Sequence, residues 1–461
     1  MKFINHTLYF ILFFFVSYCW SQESNNKEFT LQEFLAIVKK HHPLIKSANL
    51  EINTAEAKLL VTRGAFDPKI EVDFDKKVFK EKEYFSLLNS SFKIPTWYGI
   101  ELKAALEKNE GYYINPQNLV PEQGLVAVGI NIPVLQGLLI NQRMADLRKA
   151  KIQVKLSQNE QKLEAVNVLY NATVAYCNWK KNYDENVLYT KYYSNALLRY
   201  NAIKKLIEQG DKAAIDSIEA KISVENRKLN LEDSNLKLTK TKLELSNFLW
   251  IDNIPLELQD HFIPENKLNS TIESVLETQK NEISVENHPK ILAINQKIDM
   301  LSIDKKLARN QLLPKVNIGY SLLNDYGNFG NPNYKDYKLG LNVAVPLFLR
   351  KERGYAKLAE IKWNEQKLNF DIEKLQLENK FKSQKAEIIS LKTQNTIAQN
   401  LMKSNEMLLQ AEERLFTAGE SSLFLINTRE NNTITASINK INLENRMFIS
   451  YAELYKLNAQ P

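Results

Sequence analysis

Residues 41–50 read HHPLIKSANL, and residues 286–295 read ENHPKILAIN. Each stretch carries a His-Pro step, His42-Pro43 and His288-Pro289, and then a helical apolar pattern. His-Pro alone carries little information. Aligning the chain on the two steps, however, also sets Ile45, Arg63, Pro68, Lys69 and Ile70 against Ile291, Arg309, Pro314, Lys315 and Val316. Further along, INIPVL (130–135) corresponds to VAVPLF (343–348), and LIEQGD (206–211) to LFTAGE (415–420). Each half therefore reads helix, strands, long helix, Gly turn, long helix, an internal duplication of one plan. The residue before Pro is steered away from helical geometry, so the two His-Pro steps punctuate the helices that follow.

The rest of the composition narrows the class. The chain has 461 residues, 44% apolar and 25% charged, with only 13 Gly and 13 Pro, which favours long uninterrupted elements. Residues 1–21, MKFINHTLYFILFFFVSYCWS, read as a cleaved secretory signal: Lys2, an apolar run from Leu8 to Val16, and small Ser21. Cys19 leaves a lipid-modified N-terminus as an alternative. No later stretch supplies the roughly 18 consecutive apolar residues a spanning helix needs. Of the two cysteines only Cys177 survives removal of the signal, so no internal disulfide is available. Lys and Arg (61) are interleaved with Asp and Glu (54) without a basic patch, which argues against nucleic acid as a partner.

Two periodicities then set the fold class. Period two appears in KLGLNVAVPLF (338–348), with Leu339, Leu341, Val343, Val345 and Leu347 on one face, and in IEVDFD (70–75). One apolar face and one polar or small face, in segments near the length a tilted strand needs in lipid, point to membrane strands. The first half gives strands within about 69–134 and the second within about 315–348, four or six in all, too few to close a channel-sized barrel without other copies. Period seven appears in the return helix after Gly210: Ile215, Ile222, Leu229, Leu236, Leu243 and Trp250, beside Val224, Leu231, Leu238 and Leu245. The last helix repeats the arrangement with Ile434, Ile441, Phe448 and Tyr455 beside Ala436, Leu443, Ser450 and Leu457. Seams two positions apart face opposite sides of a helix, as in the wall of a cylinder.

The division expected is a signal at 1–21, a first repeat at 22–250 with its helical hairpin at about 138–250, an equatorial segment at 251–285, and a second repeat at 286–461 with its hairpin at about 350–457. Neither a Walker A sequence nor a Ser-His-Asp arrangement nor a metal-ligand cluster is present, so catalytic, cofactor and metal sites are expected to be absent.

This duplicated order resembles the TolC family of bacterial outer-membrane efflux proteins over essentially the whole mature chain. KIPTWYGIELKA (93–104) is similar to first-half segments of such proteins from the Bacteroidetes. The resemblance implies an α+β membrane protein, a homotrimer whose shared transmembrane β-barrel in the outer membrane continues into a long periplasmic α-helical barrel. It implies a passive exit duct of a tripartite efflux or secretion system, partnered by a periplasmic adaptor (membrane fusion) protein and an inner-membrane transporter. The hairpin tips, Gly210-Asp211 and Gly419-Glu420, would be the adaptor contacts. The family's gate carboxylates would fall at Leu425 and Thr428 here, so Asp216 and Glu219, one turn apart beyond Gly210, become the gate candidates, with Phe416 narrowing the same entrance. The alternative is an exported coiled-coil adaptor or scaffold of the envelope without a pore. Cargo and transporter class are not written in the sequence.

Overall fold

The structure is a computed structural model that describes residues 27–268, 272, 285–328 and 333–459. The signal at 1–21, with Cys19, and most of 269–284 in the equatorial segment lie outside the described residues. The described residues pack as two compact units, one within 47–164 and 283–379, the other within 27–46, 165–282 and 380–459, so each unit draws on both repeats.

The helices begin where the sequence punctuates them. Helix α1 (Leu31–His41) starts with a capping box: the Glu33 N–H donates to Thr30 Oγ1, and the Thr30 N–H donates back to the Glu33 carboxylate. It ends at His42, and α2 (Pro43–Arg63) starts at once. His42 and His288 hold nearly the same extended backbone, φ −63° and ψ 130° against φ −66° and ψ 131°. Each imidazole also caps its own helix, Nδ1 accepting from the Leu44 N–H at 3.3 Å and from the Lys290 N–H at 3.1 Å. The sequence showed the stop; it did not show that the His side chain supplies the missing acceptor.

Two very long helices follow the strands, α3 (Gln142–Glu208) and α6 (Arg350–Thr417), with 67 and 68 residues and no proline. At 1.5 Å per residue each runs about 100 Å. Their return partners are α4 (Ala214–Ser246) and α7 (Leu423–Asn458), and α5 (Pro289–Asn310) is the second-repeat counterpart of α2. Trp250, the last member of the expected heptad series, lies beyond the end of α4 in a two-residue strand.

Within the first unit, one sheet holds six antiparallel strands: β2 (Lys69–Phe79), β3 (Lys82–Pro95), β4 (Glu101–Glu110) and β5 (Leu125–Pro133) from the first repeat, β9 (Lys315–Asp325) and β10 (Tyr337–Ala344) from the second. Its order is β10-β9-β5-β4-β3-β2, and β5 joins the repeats through Leu125↔Asp325 to Pro133↔Asn317. The register places Ile70, Phe92, Ala104, Val128 and Leu322 in one rank, so the apolar residues of successive strands share a face. The sequence left the count between four and six; β3 and β4 are the extra hairpin. Strand β10 ends at Ala344, before Pro346 of the alternating run, since Pro has no N–H to give a ladder.

The expected fold class is corrected here. The sheet is open, with β2 and β10 as its free edges, and forms no closed barrel. Most of the described residues are helical, and no described helix is long and apolar enough to cross a membrane. The chain is largely α-helical with one open antiparallel sheet, which corrects the expected shared transmembrane β-barrel continuing into an α-helical barrel: the described residues hold no closed barrel. Period-two patterning fixes which face of a strand is apolar, whereas closure depends on strand number and stagger, which the pattern does not carry.

In the second unit the short strands β6 (Trp250–Ile251), β7 (Ile254–Pro255), β8 (Phe262–Pro264) and β1 (Lys27–Phe29) frame the core, β1 lying parallel to β8. Phe34 and Val38 of α1, Ala172, Tyr176 and Trp179 of α3, Leu245 of α4, Leu391 of α6 and Phe448 of α7 fill it. The Tyr176 hydroxyl donates to the Phe29 carbonyl at 2.6 Å and accepts from the Glu265 N–H at 3.0 Å, which ties both short strands to α3. Cys177 is buried and free, and burial pushes its thiol up to about 12.

Candidate functional site: the paired hairpin tips

Both hairpins turn by the same local chemistry. In the first, the Gly210 N–H donates to the Ile207 carbonyl at 3.0 Å and the Asp211 N–H to Leu206 at 2.9 Å; in the second, Gly419 donates to Phe416 at 3.0 Å and Glu420 to Leu415 at 2.9 Å. These are two Schellman motifs, and each needs a left-handed residue after the helix. Gly210 (φ +87°) and Gly419 (φ +80°) supply it. A Cβ at either would meet nothing within 4 Å, so glycine is there for its backbone and not for space.

The duplicated turns lie side by side. Ile203 from the end of α3, Ala220 from α4 and Leu423 from α7 form one buried cluster, with Tyr200, Ile207 and Phe416 packed against it. Phe416 is thus part of the packing that joins the tips, and the Lys212 ammonium lies 5.4 Å from its ring centre. Asp216 is half-buried in the first turn of α4, and Glu219 one turn on accepts a hydrogen bond from the Asn427 side-chain amide at 3.3 Å. Glu219 therefore faces α7. Leu425 is exposed, and the Thr428 hydroxyl donates to the Phe424 carbonyl at 2.8 Å.

Behind the tips sits a buried charge cluster that the sequence reading missed. Glu430 of α7 has no exposed surface, and both its oxygens are taken: Arg199 Nη2 of α3 at 2.6 Å and Arg227 Nε of α4 at 3.0 Å. Arg227 also donates to Asn431 Oδ1 at 2.7 Å, while Asn427 Oδ1 accepts from Arg199 and from the Ser223 hydroxyl, each at 3.4 Å. One carboxylate thus ties three helices together. Farther along, burial raises the carboxyls of Asp184 and Glu185 above their ordinary range, partly offset by Lys180 and Lys181 respectively. The described residues contain no group of His, Cys, Asp or Glu side chains able to hold a metal ion.

The two heptad seams of α4 part ways. Val224 and Leu245 are buried and Leu231 and Leu238 half-buried, whereas Ile215, Ile222, Leu229, Leu236 and Leu243 stand 53–70% exposed. Helix α7 is covered on both flanks, with Ile434, Phe448, Ser450 and Leu457 all buried. The two return helices look alike in sequence, but α7 lies inside the packing and α4 at its edge.

Residues 282–460 match the family described as outer membrane efflux protein. The chain is similar in fold to the CmeC outer membrane channel of Campylobacter jejuni (15% identity, 96% of this chain and 90% of that one, TM-score 0.65). It is similar also to the MtrE outer membrane channel of Neisseria gonorrhoeae in its open state (12%, 93% and 88%, 0.65) and to the outer membrane protein VceC of Vibrio cholerae (12%, 93% and 96%, 0.65). No curated protein matches the sequence. The family match thus covers the second repeat, and the fold shared with these outer membrane channels extends over nearly all of the chain.

Proposed function

We propose that the chain is the exit duct of a tripartite efflux or secretion assembly, conducting solutes handed on by an inner-membrane transporter and a periplasmic adaptor. It works as a homotrimer that extends into the periplasm. The observation that carries this reading is the bare seam Ile215, Ile222, Leu229, Leu236 and Leu243 on a helix whose opposite seam is packed. A strict sevenfold apolar row calls for a helical neighbour, and solvent is a poor substitute. Another copy of the chain supplies that neighbour, and three copies leave a passage at their centre. In this arrangement Asp216, Glu219 and Phe416 stand at the periplasmic entrance. The turns at Gly210-Asp211 and Gly419-Glu420 meet the adaptor, and cargo selection rests with the transporter.

The test is a purified full chain whose mass in detergent is that of three copies. Leu229→Lys with Leu236→Lys should yield folded single chains and abolish export of every substrate the wild type carries. A wild-type particle with the mass of one chain and native helicity would remove the duct.

A further inference from the structure

The bare seam of α4 has a counterpart on α6. Toward the end of α6, Leu401, Leu408 and Leu415 recur at sevenfold spacing, 43–56% exposed, with small exposed Ser404 and Ala411 between them. The other face of α6 is packed, with Leu391, Ala398 and Leu409 buried. Helix α7 lies between α4 and α6. Its Thr433 hydroxyl donates to the Asn405 carbonyl of α6 at 3.2 Å and its Arg429 pairs with Glu412 of α6 at 3.6 Å, while Glu430 and Asn431 accept from Arg227 of α4. Helices α4 and α6 thus form two flanks of the second unit, each with an apolar row left over.

The two rows also agree in level. Ile215, Ile218, Ile222 and Leu229 stand five, eight, twelve and nineteen residues beyond Gly210; Leu415, Ala411, Leu408 and Leu401 stand four, eight, eleven and eighteen before Gly419. Because the two turns lie side by side, residues equally far from them share a height. Helix α4 leaves its turn and α6 enters its own, so the two run antiparallel. A rotation about an axis along the helices changes no heights. It therefore brings the α4 row of one copy against the α6 row of the next, with Ile215 opposite Leu415, Ile222 opposite Leu408 and Leu229 opposite Leu401. We propose that this head-to-tail coiled coil is the contact between copies, a pairing that rests on the duct reading and supplies the surface that answers the bare seam. A two-fold pairing of α4 with α4 would leave the α6 row bare, whereas a head-to-tail contact covers both rows and repeats until the ring closes. Farther from the turns Leu236 comes level with Gln394, so the match is confined to the stretch of about 20 Å nearest the tips.

The test is disulfide formation in the full chain in detergent, oxidised with copper phenanthroline once the wild-type particle mass has been measured. Leu229→Cys with Leu401→Cys should give covalent products of two and three chains, and each single variant should give none. Leu229→Cys with Leu415→Cys, about 21 Å out of level, should also give none. The native Cys177 is buried and stays out of the reaction. Without oxidant, Leu229→Lys and Leu401→Glu should each weaken assembly about tenfold or more, and the two together should recover most of it. Disulfides within one chain, covalent dimers from Leu229→Cys alone, or no product from the matched pair in a three-copy particle would overturn the pairing and leave the duct standing. A wild-type particle with the mass of one chain would overturn both.

Discussion

Replacing Glu430 by Ala leaves two guanidinium groups, Arg199 and Arg227, facing each other without their shared carboxylate. Arg227 is only 5% exposed, so solvent cannot take the carboxylate's place. Removing one partner from a buried ion pair costs about 3–5 kcal/mol, most of it the stranded charge and not the lost attraction. Because the cluster joins α3, α4 and α7 just behind the turns, that cost falls on opening of the tips. At 1.4 kcal/mol per factor of ten, the opening equilibrium should shift by roughly a hundredfold or more. The assay is amide hydrogen exchange of residues 195–232 and 423–434 on the full chain, with the core around Trp179 as internal reference. Glu430→Ala should speed exchange in the tip segments by at least that factor and leave the reference peptides unchanged. The triple change Arg199→Met, Glu430→Leu, Arg227→Met, which removes every charge, should restore most of the protection, since a buried triad can be replaced by apolar residues at little cost. Tip exchange within a factor of three of wild type in Glu430→Ala would refute the claim that this carboxylate holds the helices together.

Further outcomes can be stated briefly. Gly210→Ala and Gly419→Ala should each cost about 1 kcal/mol by forcing a Cβ into left-handed backbone, with no steric term, and equal losses at both turns in chemical denaturation would confirm their equivalence. Burial holds the His42 imidazole below its ordinary 6.5, against the opposing effect of its hydrogen bond to the Asn247 backbone. The folded chain therefore favours neutral His42: its contribution is complete above pH 6.5 and is lost as pH falls through the lower folded value, so His42→Gln should flatten the stability profile in that window. The Cys177 thiol should resist maleimide in the native state near neutral pH and react once the chain is unfolded, and rapid native labelling would contradict its burial.

What the sequence disclosed and what it hid follow from the range of the physics. The His-Pro starts, the two Gly turns and the proline-free helices obey rules that act over a few residues, so their places were legible. The seams of α4 were legible too, as periodicity, but which one is packed depends on neighbours remote in the chain. Alternation in 70–75 and 338–348 identified strands and apolar faces and led too far, to a closed barrel, because register against β3, β4 and β9 is not encoded in any one strand. The run SLLNSSF at 86–92 breaks the alternation in β3, which is why the count stayed between four and six. Arg199, Arg227 and Glu430 each look like an ordinary solvated helix charge; only their convergence across more than two hundred positions makes them a cluster.

That separation bears on how the chain matures. The carboxylate that completes the first hairpin sits 203 positions after Arg227 and 231 after Arg199. Until the final helix is delivered, the leading repeat has two cations with nothing to neutralise them where its helices should meet. A ribosome or export machinery releasing the chain from its beginning thus hands over a half that cannot finish by itself, and truncation anywhere before residue 430 should leave the earlier tip as unsettled as the missing one.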